Sequence, residues 1–387
     1  MTRARPDRGA MNQSAFEPPA IAGGIPDLPY LPFRIHGPGA ALVLVGRHAL
    51  ARGVAEHGIR DLSLYEQPVL TCFELEGARA HQTIETPVYL QRELGTGITE
   101  RVFLPLDHAA AAWSWFAHRA TQTLLRFRFS AGSRDLVIGG RWAAIPNVAC
   151  WFDRDVKVRL VAATMHADIE LHSGETLTMV AAAREPSGAA VSAMAQLPAL
   201  ARSRLAGWRR AASELVTIDC SDSHYADQVN WSAYQLYAAG ALHGQLTPSD
   251  LEPAPIHLRS VAAPLLHFLR ATLGLEVDPP SQRIELRPRL PAEWSRLEAR
   301  NLPCGDATVS LHYERTGTRH MFQLTPVAGA VPARVAFLPL IGTRRIASVA
   351  VDGQPAVLDY RETPDGVVCP VQLVLDHTRT IHIEAGA

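Results

Sequence analysis

The pattern of apolar and polar positions divides the chain into a β-rich part, a helical part and a second β-rich part. Between residues 33 and 195, short segments alternate apolar and polar residues, and turns rich in Gly, Pro and Ser separate them. A period of two places every second side chain on the same face of a strand. Many short strands with regular turns are typical of an antiparallel sandwich. We therefore predict an N-terminal β-sandwich over residues 31–195.

Helical periodicity dominates residues 196–275. Apolar residues recur there at intervals of three and four, which is typical of amphipathic helices. The recurrence predicts helices over 197–215, 223–243 and 256–273. Asp222 or Ser223 is suited to cap the second helix, and Gly274 to end the third, where a left-handed cap favours a residue without Cβ. Pro264 lies inside the third helix and is expected to kink it.

The period returns to two after residue 275. Ile284 and Leu286 alternate with charged residues, and Asp352-Gly353 separates two apolar runs, which is a strong hairpin signal. We predict a second β-sandwich over 276–387. Residues 1–30 show no periodicity and are rich in Pro, Gly and Arg, so they are predicted to be a disordered tail.

The transition from helix to strand carries a family resemblance. Its residues are Gly274-Leu275, the Leu-Arg-Pro-Arg-Leu-Pro run at 286–291, Trp294 and the turn from Asn301-Leu302 to Gly305. Together they resemble the segment in which glycogen-debranching (amylo-α-1,6-glucosidase-like) and related glycoside hydrolases pass from their last barrel helix into a terminal β-sandwich. The run GITERVFLPLDHAAAAWSWF at 97–116 is similar to the N-terminal sandwich of the same group. The resemblance implies a catalytic (α/α)6 barrel between the two sandwiches.

The helical part is too short for that barrel. A ring of about a dozen helices does not fit into roughly 80 residues, which hold three or four helices of about 11–12 residues each. We therefore expect a mainly β protein, with two antiparallel β-sandwiches joined by a short helical segment that is the remnant of an (α/α)6 barrel. The carboxyl pair of the family has no counterpart here, so no catalytic residue is carried over from the resemblance.

Composition narrows the class of protein. The chain of 387 residues has a formal net charge of −1, which gives no electrostatic reason to expect nucleic acid or membrane partners. Five Cys without a CxxC pair predict free thiols in a reducing compartment. No apolar run approaches the ~20 residues of a membrane-spanning helix, and no signal peptide is recognisable, so the expected location is the cytoplasm. Walker, GxGxxG, HExxH and GxSxG motifs are absent, and no cofactor is expected.

Residues at the start of the second helix are the candidates for catalysis. Asp222, His224 and Asp227 combine carboxylates with an imidazole, as acid–base chemistry requires. Trp231 and Tyr234 follow on the same helix and could stack on sugar rings. The alternative is that Asp222 caps the helix while the two aromatic side chains pack in a core.

Three further groups are weaker candidates. Trp113 and Trp115 lie on one side of a strand, as either a sugar platform or core residues. His257 precedes the last helix and is a candidate ligand-binding residue. Four residues at every second position share one strand face and are candidate metal ligands or an ordinary solvated face: His166, Asp168, Glu170 and His172.

Three readings of function follow. The first is a carbohydrate-related protein that binds glycans or assists a catalytic subunit without hydrolysing them. The alternative is a repurposed enzyme of the isomerase, lyase or cyclase type, with a small-molecule cleft between the sandwiches and the helices. In the third, an apolar seam left by the missing barrel seals a homodimer. Whether the protein is an enzyme stays open at this point.

Overall fold

A computed structural model of the chain describes residues 18–28, 31, 33–132, 135–184, 188–240, 259–278, 283–304, 307–329, 333–357 and 359–386. The chain forms two compact units, Met1–Gly207 and Trp208–Ala387. Both are mainly β, as predicted. The boundary between the units falls inside the helical segment predicted over 196–275.

Sixteen strands in the described part of the first unit form two antiparallel sheets. A nine-stranded sheet has the order β1-β6-β7-β8-β9-β16-β13-β12-β11, and a seven-stranded sheet has the order β14-β15-β10-β5-β4-β3-β2. The strands are β1 (Arg34–His36), β2 (Ala41–Val45), β3 (Ala49–Val54), β4 (Gly58–Leu64), β5 (Gln67–Leu75), β6 (Ala80–Glu85), β7 (Tyr89–Leu94), β8 (Ile98–Phe103), β9 (Ala110–Ala117), β10 (Thr121–Phe129), β11 (Val137–Ile138), β12 (Trp142–Ile145), β13 (Val148–Phe152), β14 (Lys157–Val161), β15 (Thr164–Leu171) and β16 (Thr176–Ala183).

The two sheets enclose one apolar core. Alternate residues of both sheets form it, as the period of two in the sequence predicts. Phe73 on β5 stacks on Trp113 on β9, with 4.5 Å between ring centroids. The sandwich predicted for this region is therefore confirmed.

A buried ion pair lies on the inner face of the nine-stranded sheet. Arg92, Glu100 and Trp115 occupy directly paired positions on β7, β8 and β9. Arg92 Nε donates to Glu100 Oε1 at 2.9 Å, and Trp115 Nε1 donates to Glu100 Oε2 at 3.0 Å. The guanidinium and the carboxylate therefore both have hydrogen-bond partners, as buried charges require. Gly58 leaves room for the guanidinium, since it has φ +81° and a Cβ there would lie 2.3 Å from the guanidinium carbon of Arg92.

The second face of the nine-stranded sheet is also partly buried. It packs against residues of the segment 18–28 and against α1 (Ala189–Met194) and α2 (Leu197–Glu214). Ile21 and Ile25 are buried, and the Ala22 N–H donates to the Ala195 carbonyl oxygen at 2.8 Å. The prediction of a disordered tail is therefore wrong for residues 18–28, because isolated apolar residues in a Pro- and Gly-rich stretch find a sheet face to cover.

Arg204 fixes α2 to the first sandwich. Its side chain is buried within the unit, where it donates to three backbone carbonyl groups. Nε donates to Pro87 O at 3.0 Å and Nη2 to Val45 O at 3.1 Å, while Nη1 donates to Leu104 O. One guanidinium thereby satisfies acceptors at the ends of separate strands, a task that its planar fork of donors permits.

The described part of the second unit contains fourteen strands and three sheets. Their orders are β17-β20-β21-β22-β30-β25-β26, β18-β19-β23-β29 and β24-β28-β27. The strands are β17 (Thr217–Cys220), β18 (Glu276–Asp278), β19 (Arg283–Leu286), β20 (Arg296–Cys304), β21 (Ala307–Thr316), β22 (Arg319–Gly329), β23 (Ala333–Phe337), β24 (Leu340–Ile341), β25 (Ile346–Val351), β26 (Gln354–Pro355), β27 (Arg361–Thr363), β28 (Gly366–Val368), β29 (Val371–Leu375) and β30 (Arg379–Ala385).

The sheets of the second unit pack face to face. Phe322 on β22 and Phe337 on β23 belong to different sheets, and their ring centroids are 5.1 Å apart. Antiparallel pairing prevails, but β19 and β23 pair in parallel. The predicted hairpin is present, with φ +51° at Asp352 and +76° at Gly353. Its second strand is β26, which begins directly after the turn.

In the described part of this unit, α3 (Ser223–Ala238) ends before the predicted residue 243. The described part of the third predicted helix consists of α4 (Arg259–His267) and a π-helix over Phe268–Thr272. The connector that contains His257 lies outside the described residues. Gly274 has φ +54°, and a Cβ there would meet Arg287 Cβ at 2.7 Å. The prediction that Gly274 ends this helix in a left-handed conformation is therefore confirmed.

Arg204→Met is expected to lower the free energy of unfolding by roughly 2–5 kcal/mol, because three buried carbonyl groups lose their donor. Urea unfolding of the full chain measures the loss. Arg202→Met is the matched control, since Arg202 is exposed on the same helix. Equal stabilities of the two variants would contradict this role of Arg204.

Candidate functional site

A cleft of about 410 Å³ opens in the second unit. Residues of β21, β22 and β24 and of the connections beside them line it. The lining residues are Leu290, Pro291, Ala292, Tyr313, Arg315, Gly317, Thr318, His320, Phe322, Leu340, Ile341, Gly342, Thr343, Asp365, Ala385 and Gly386.

Four side chains of one hairpin form a wall of the cleft. Tyr313 on β21 is directly paired with Phe322 on β22, and Arg315 is directly paired with His320. Paired residues at a spacing of two point to the same face of a sheet, so the hairpin register brings all four together. Tyr313 and Phe322 rings are 4.8 Å apart, and Tyr313 Oη lies 3.1 Å from His320 Nδ1.

Electrostatics keep this wall neutral except at Arg315. Burial lowers the pKa of His320 below its ordinary value, and Arg315 lowers it further, while Glu384 opposes the shift. Burial also raises the pKa of Tyr313, against the effect of Arg315. At neutral pH the pair is therefore a phenol and an uncharged imidazole that share one hydrogen bond. The Nε2 atom of His320 is not used in that bond and can serve a ligand as donor or acceptor, according to the tautomer.

The rest of the lining mixes apolar and polar groups. Leu290, Pro291 and Ala292 give an apolar patch, and Thr318, Thr343 and Asp365 add hydroxyl and carboxylate groups. Thr318 Oγ1 donates to Glu384 Oε1 at 2.6 Å, which fixes its rotamer. The cleft thus offers a cation, a neutral imidazole, a carboxylate and an apolar patch within one concave site. Tyr313 and Phe322 are 3% and 2% exposed and form its buried base.

The predicted catalytic residues lie elsewhere, at the start of α3. Asp222 is the N-cap, and its Oδ1 accepts from the Tyr225 N–H at 3.0 Å, so the capping alternative is confirmed. His224 Nε2 lies 2.9 Å from Gln228 Nε2, one turn further along the helix. His224 and Asp227 are exposed, and neither lines the cleft.

The predicted stacking residues are buried. Trp231 and Tyr234 are 9% and 6% exposed, with ring centroids 6.3 Å apart. Trp113 and Trp115 are 1% and 0% exposed in the core of the first sandwich. Their ring faces are covered by other side chains, which is the core-packing alternative of the sequence analysis.

The four metal candidates lie on or beside β15. His166, Asp168 and Glu170 alternate with buried residues on the polar face of the seven-stranded sheet. Arg159 Nη1 donates to Asp168 Oδ2 at 2.6 Å, and Gln122 Nε2 donates to Glu170 Oε1 at 3.2 Å. His172 follows the strand. Among the residues that the structure describes, no group of three or more His, Cys, Asp and Glu side chains is placed to hold a metal ion.

A hydrogen-bonded cluster at the π-helix had no clear signal in the sequence. Tyr225 Oη lies 3.1 Å from both His267 Nδ1 and Thr272 Oγ1. Burial raises the pKa of Tyr225, and the hydrogen bond from Thr272 partly offsets this. The cluster ties α3 to the π-helix, because the wider turn brings Thr272 to the tyrosine hydroxyl.

The cleft itself was missed by the sequence reasoning. One signal was available: Arg315 and His320 occupy positions in β21 and β22 where the alternation calls for apolar residues. Polar residues on an otherwise buried strand face need hydrogen-bond partners or a ligand. This break in the alternation of apolar and polar residues therefore pointed to the wall of the cleft.

Comparisons with known proteins find partial structural similarity. No family model matches the chain, and no curated protein matches it. An α-mannosidase of family GH92 from Bacteroides thetaiotaomicron matches 51% of this chain and 37% of its own, at 12% identity and a TM-score of 0.34. An inverting mannosidase of the same family from Bacteroides thetaiotaomicron VPI-5482 matches 50% and 36%, at 14% identity and a TM-score of 0.35.

A family 81 glycoside hydrolase from Clostridium thermocellum matches 88% of this chain and 33% of its own, at 8% identity and a TM-score of 0.17. The chain spans about a third of the length of these solved structures. None of the helices in the described residues is long and apolar enough to cross a membrane. All five cysteines are free, as the sequence predicts.

Asp222→Ala is expected to lower the free energy of unfolding by about 1 kcal/mol, because α3 loses its capping acceptor. Asp222→Asn keeps an acceptor oxygen and is expected to stay close to the wild type. Urea unfolding of the three proteins measures both effects. An Asn variant as unstable as the Ala variant would show that capping is not the role of this side chain.

His320 is expected to make the protein less stable in mild acid. Its pKa is lowered in the folded state, so below the unfolded-state pKa of about 6.5 the unfolded chain binds a proton that the folded chain does not. The free energy of unfolding then falls as the pH decreases. Urea unfolding between about pH 7.5 and pH 5.5 is expected to show a shallower slope for His320→Gln than for the wild type. Identical slopes would contradict the neutral imidazole.

Proposed function

We propose that the protein is a carbohydrate-related binding protein whose C-terminal cleft takes one or two sugar rings. The observation that supports this most is the wall formed by Tyr313, Phe322, Arg315 and His320. It holds Arg315 and His320 in place over a buried aromatic base, beside the apolar patch of Leu290, Pro291 and Ala292. Sugar rings have apolar C–H faces and hydroxyl edges, and the apolar patch and the polar groups of the cleft complement both.

The size of the cleft fits this ligand. Small-molecule sites commonly measure about 300–1,000 Å³ and combine apolar surface with a few placed polar groups. The cleft of about 410 Å³ lies at the lower end of that range, which suits a mono- or disaccharide. The resemblance of the transition from helix to strand, between Gly274 and Gly305, to debranching-type hydrolases makes α-linked glucose the first sugar to test. The five free thiols support, in the same proposal, a protein of a reducing compartment such as the cytoplasm.

Binding without hydrolysis is the favoured activity. Hydrolysis of a glycosidic bond needs an acid and a second carboxylate about 5–10 Å apart. Among the described residues that line the cleft, Asp365 is the one carboxylate. A single carboxylate orients a hydroxyl group but does not supply both roles. An accessory or glycan-binding role is therefore proposed in place of a glycosidase.

An acid–base enzyme is the second candidate. The neutral His320, hydrogen-bonded to Tyr313 in a cleft, is a group that can accept a proton near neutral pH. An isomerase or lyase acting on a small sugar would use it in this way. Turnover of a bound sugar, followed by NMR, distinguishes this candidate from binding alone.

Calorimetric titration tests the proposal with glucose, maltose, mannose and mannobiose. At least one of them is expected to bind the wild type, and Arg315→Met is expected to weaken that binding about tenfold or more, because a charged donor is lost. Arg300→Met is the matched control, since Arg300 is exposed on β20 and does not line the cleft. Equal affinities of both variants, or no binding of any of the four sugars, would contradict the proposal.

A further inference from the structure

A second set of polar side chains lies on the outer face of the nine-stranded sheet, in the first unit. We call it the polar grid and define it by six residues: Gln91, Glu93, Thr99, Arg101, Phe116 and His118. Glu93, Thr99 and Phe116 are directly paired across β7, β8 and β9, and Gln91 is paired with Arg101 in the next row. Neighbouring strands are about 4.8 Å apart and rows about 7 Å, so the grid has the dimensions of a small ligand.

The same face is apolar one row further along. Tyr89, Phe103 and Ala112 are directly paired there and are buried beneath the segment 18–28 and the helices of the unit. The change from apolar to polar therefore occurs within a single strand, between Tyr89 and Gln91. Core packing does not require polar residues at the grid.

Hydrogen bonds within the grid converge on the carboxylate of Glu93. Arg101 Nε donates to Gln91 Oε1 at 2.8 Å, and Gln91 Nε2 donates to Glu93 Oε1 at 2.9 Å. From the other side, Thr99 Oγ1 donates to Glu93 Oε2 at 2.8 Å. Each side chain has its orientation fixed by a neighbour, which is the preorganisation that binding sites use.

The position of the Thr99 hydroxyl proton determines which ring nitrogen of His118 donates and which accepts. Thr99 has one hydroxyl proton and gives it to Glu93, so the contact of 2.7 Å between Thr99 Oγ1 and His118 Nε2 requires the imidazole to donate. A neutral His118 then has its proton on Nε2 and presents Nδ1 as an acceptor. This arrangement is not a nucleophile triad, because the hydroxyl lies between the acid and the base.

The grid is accessible to solvent at Glu93, Phe116 and His118. The side chain of His118 is 56% exposed and that of Glu93 is 27% exposed. Phe116 is 38% exposed and contacts His118 edge to face, with ring centroids 4.9 Å apart. An exposed aromatic ring beside preorganised donors and acceptors suits a ligand with apolar faces and polar edges.

The charges favour a neutral ligand. Arg101 Nη2 lies 3.3 Å from Asp27 Oδ1, so its positive charge is compensated. The carboxylates of Glu93 and Asp27 outnumber that guanidinium among the grid and its direct partners. An anionic ligand would meet this excess of negative charge.

We propose that the polar grid is a second binding site, specific for a neutral, hydroxyl-rich ligand with rings of sugar size. Its hydroxyl groups donate to Glu93 and to the Nδ1 atom of His118, while the C–H face of a ring packs on Phe116. The site lies in the first unit, whereas the C-terminal cleft lies in the second. The proposal does not depend on the function proposed for that cleft.

Calorimetric titration of the full chain with maltotriose, mannotriose and cellotriose tests the second site. At least one neutral trisaccharide is expected to bind, and the double variant Phe116→Ala/His118→Ala to lose the grid contribution, with affinity at that site falling about tenfold or more. Leu160→Ala is the matched control, since Leu160 is exposed on β14 of the other sheet. Its binding curve is expected to equal that of the wild type.

Background variants separate this site from the cleft. Arg315→Met is expected to weaken binding at the cleft and to leave the grid contribution intact, while the double variant weakens binding at the grid and leaves the cleft intact. Glu93→Gln serves as a second probe of the grid, because it keeps the shape of the side chain and removes the charge that accepts from the ligand. Thermal melting confirms that each variant is folded.

Three outcomes would overturn the proposal. The first is that no neutral trisaccharide binds in the Arg315→Met background. The second is that neither the double variant nor Glu93→Gln weakens binding there. The third is that trigalacturonate or Zn²⁺ alone binds at the grid more tightly than any neutral trisaccharide, which would assign the site to an anion or to a metal ion.

Discussion

A buried charged or polar side chain loses its hydrogen bonds to water, and the hydrogen bonds that replace them connect separate elements in both units. In the first sandwich, Glu100 accepts hydrogen bonds from Arg92 and Trp115. Arg204 donates to three backbone carbonyl groups. In the second unit, Tyr313 and His320 share a hydrogen bond across a hairpin, at the edge of an open cleft.

These hydrogen bonds also separate structural from functional polar groups. Arg92 and Arg204 are enclosed by the groups that they bond to, so neither guanidinium is available to a ligand. Both side chains contribute to stability. His320 uses one ring nitrogen for Tyr313 and keeps the other, and it lines a cleft. His118 is arranged in the same way on the first unit, with one nitrogen bonded to Thr99 and an exposed ring. A ring nitrogen that is held in place and is not used in these hydrogen bonds can bond to a ligand.

Local patterns predicted much of the fold because their causes are local. Alternation predicted β19, the Asp-Gly dipeptide predicted the turn at 352–353, and a short acidic side chain before an apolar stripe predicted the cap at Asp222. Gly274 was recognisable because only the left-handed conformation explains a glycine at that point. The boundaries of α3 and of the hairpin strand were less accurate, since the ends of elements depend on what they pack against.

The remaining features depend on contacts between distant residues. Residues 18–28 pack on a sheet face that residues between 88 and 182 supply, and β17 pairs with β20, which follows it by about 80 positions. The π-helix depends on where Thr272 must meet Tyr225. The cleft brings together residues from 290 to 386, and no short stretch of sequence carries its pattern.

The central claim is that a sugar occupies the C-terminal cleft with its hydroxyl groups on Arg315 and His320. A crystal structure of the full chain grown with maltose tests this most directly. The account predicts electron density for a sugar ring in the cleft, with hydroxyl groups in hydrogen-bond distance of Arg315 and of the Nε2 atom of His320. An empty cleft in crystals that hold maltose bound elsewhere on the second unit would contradict it.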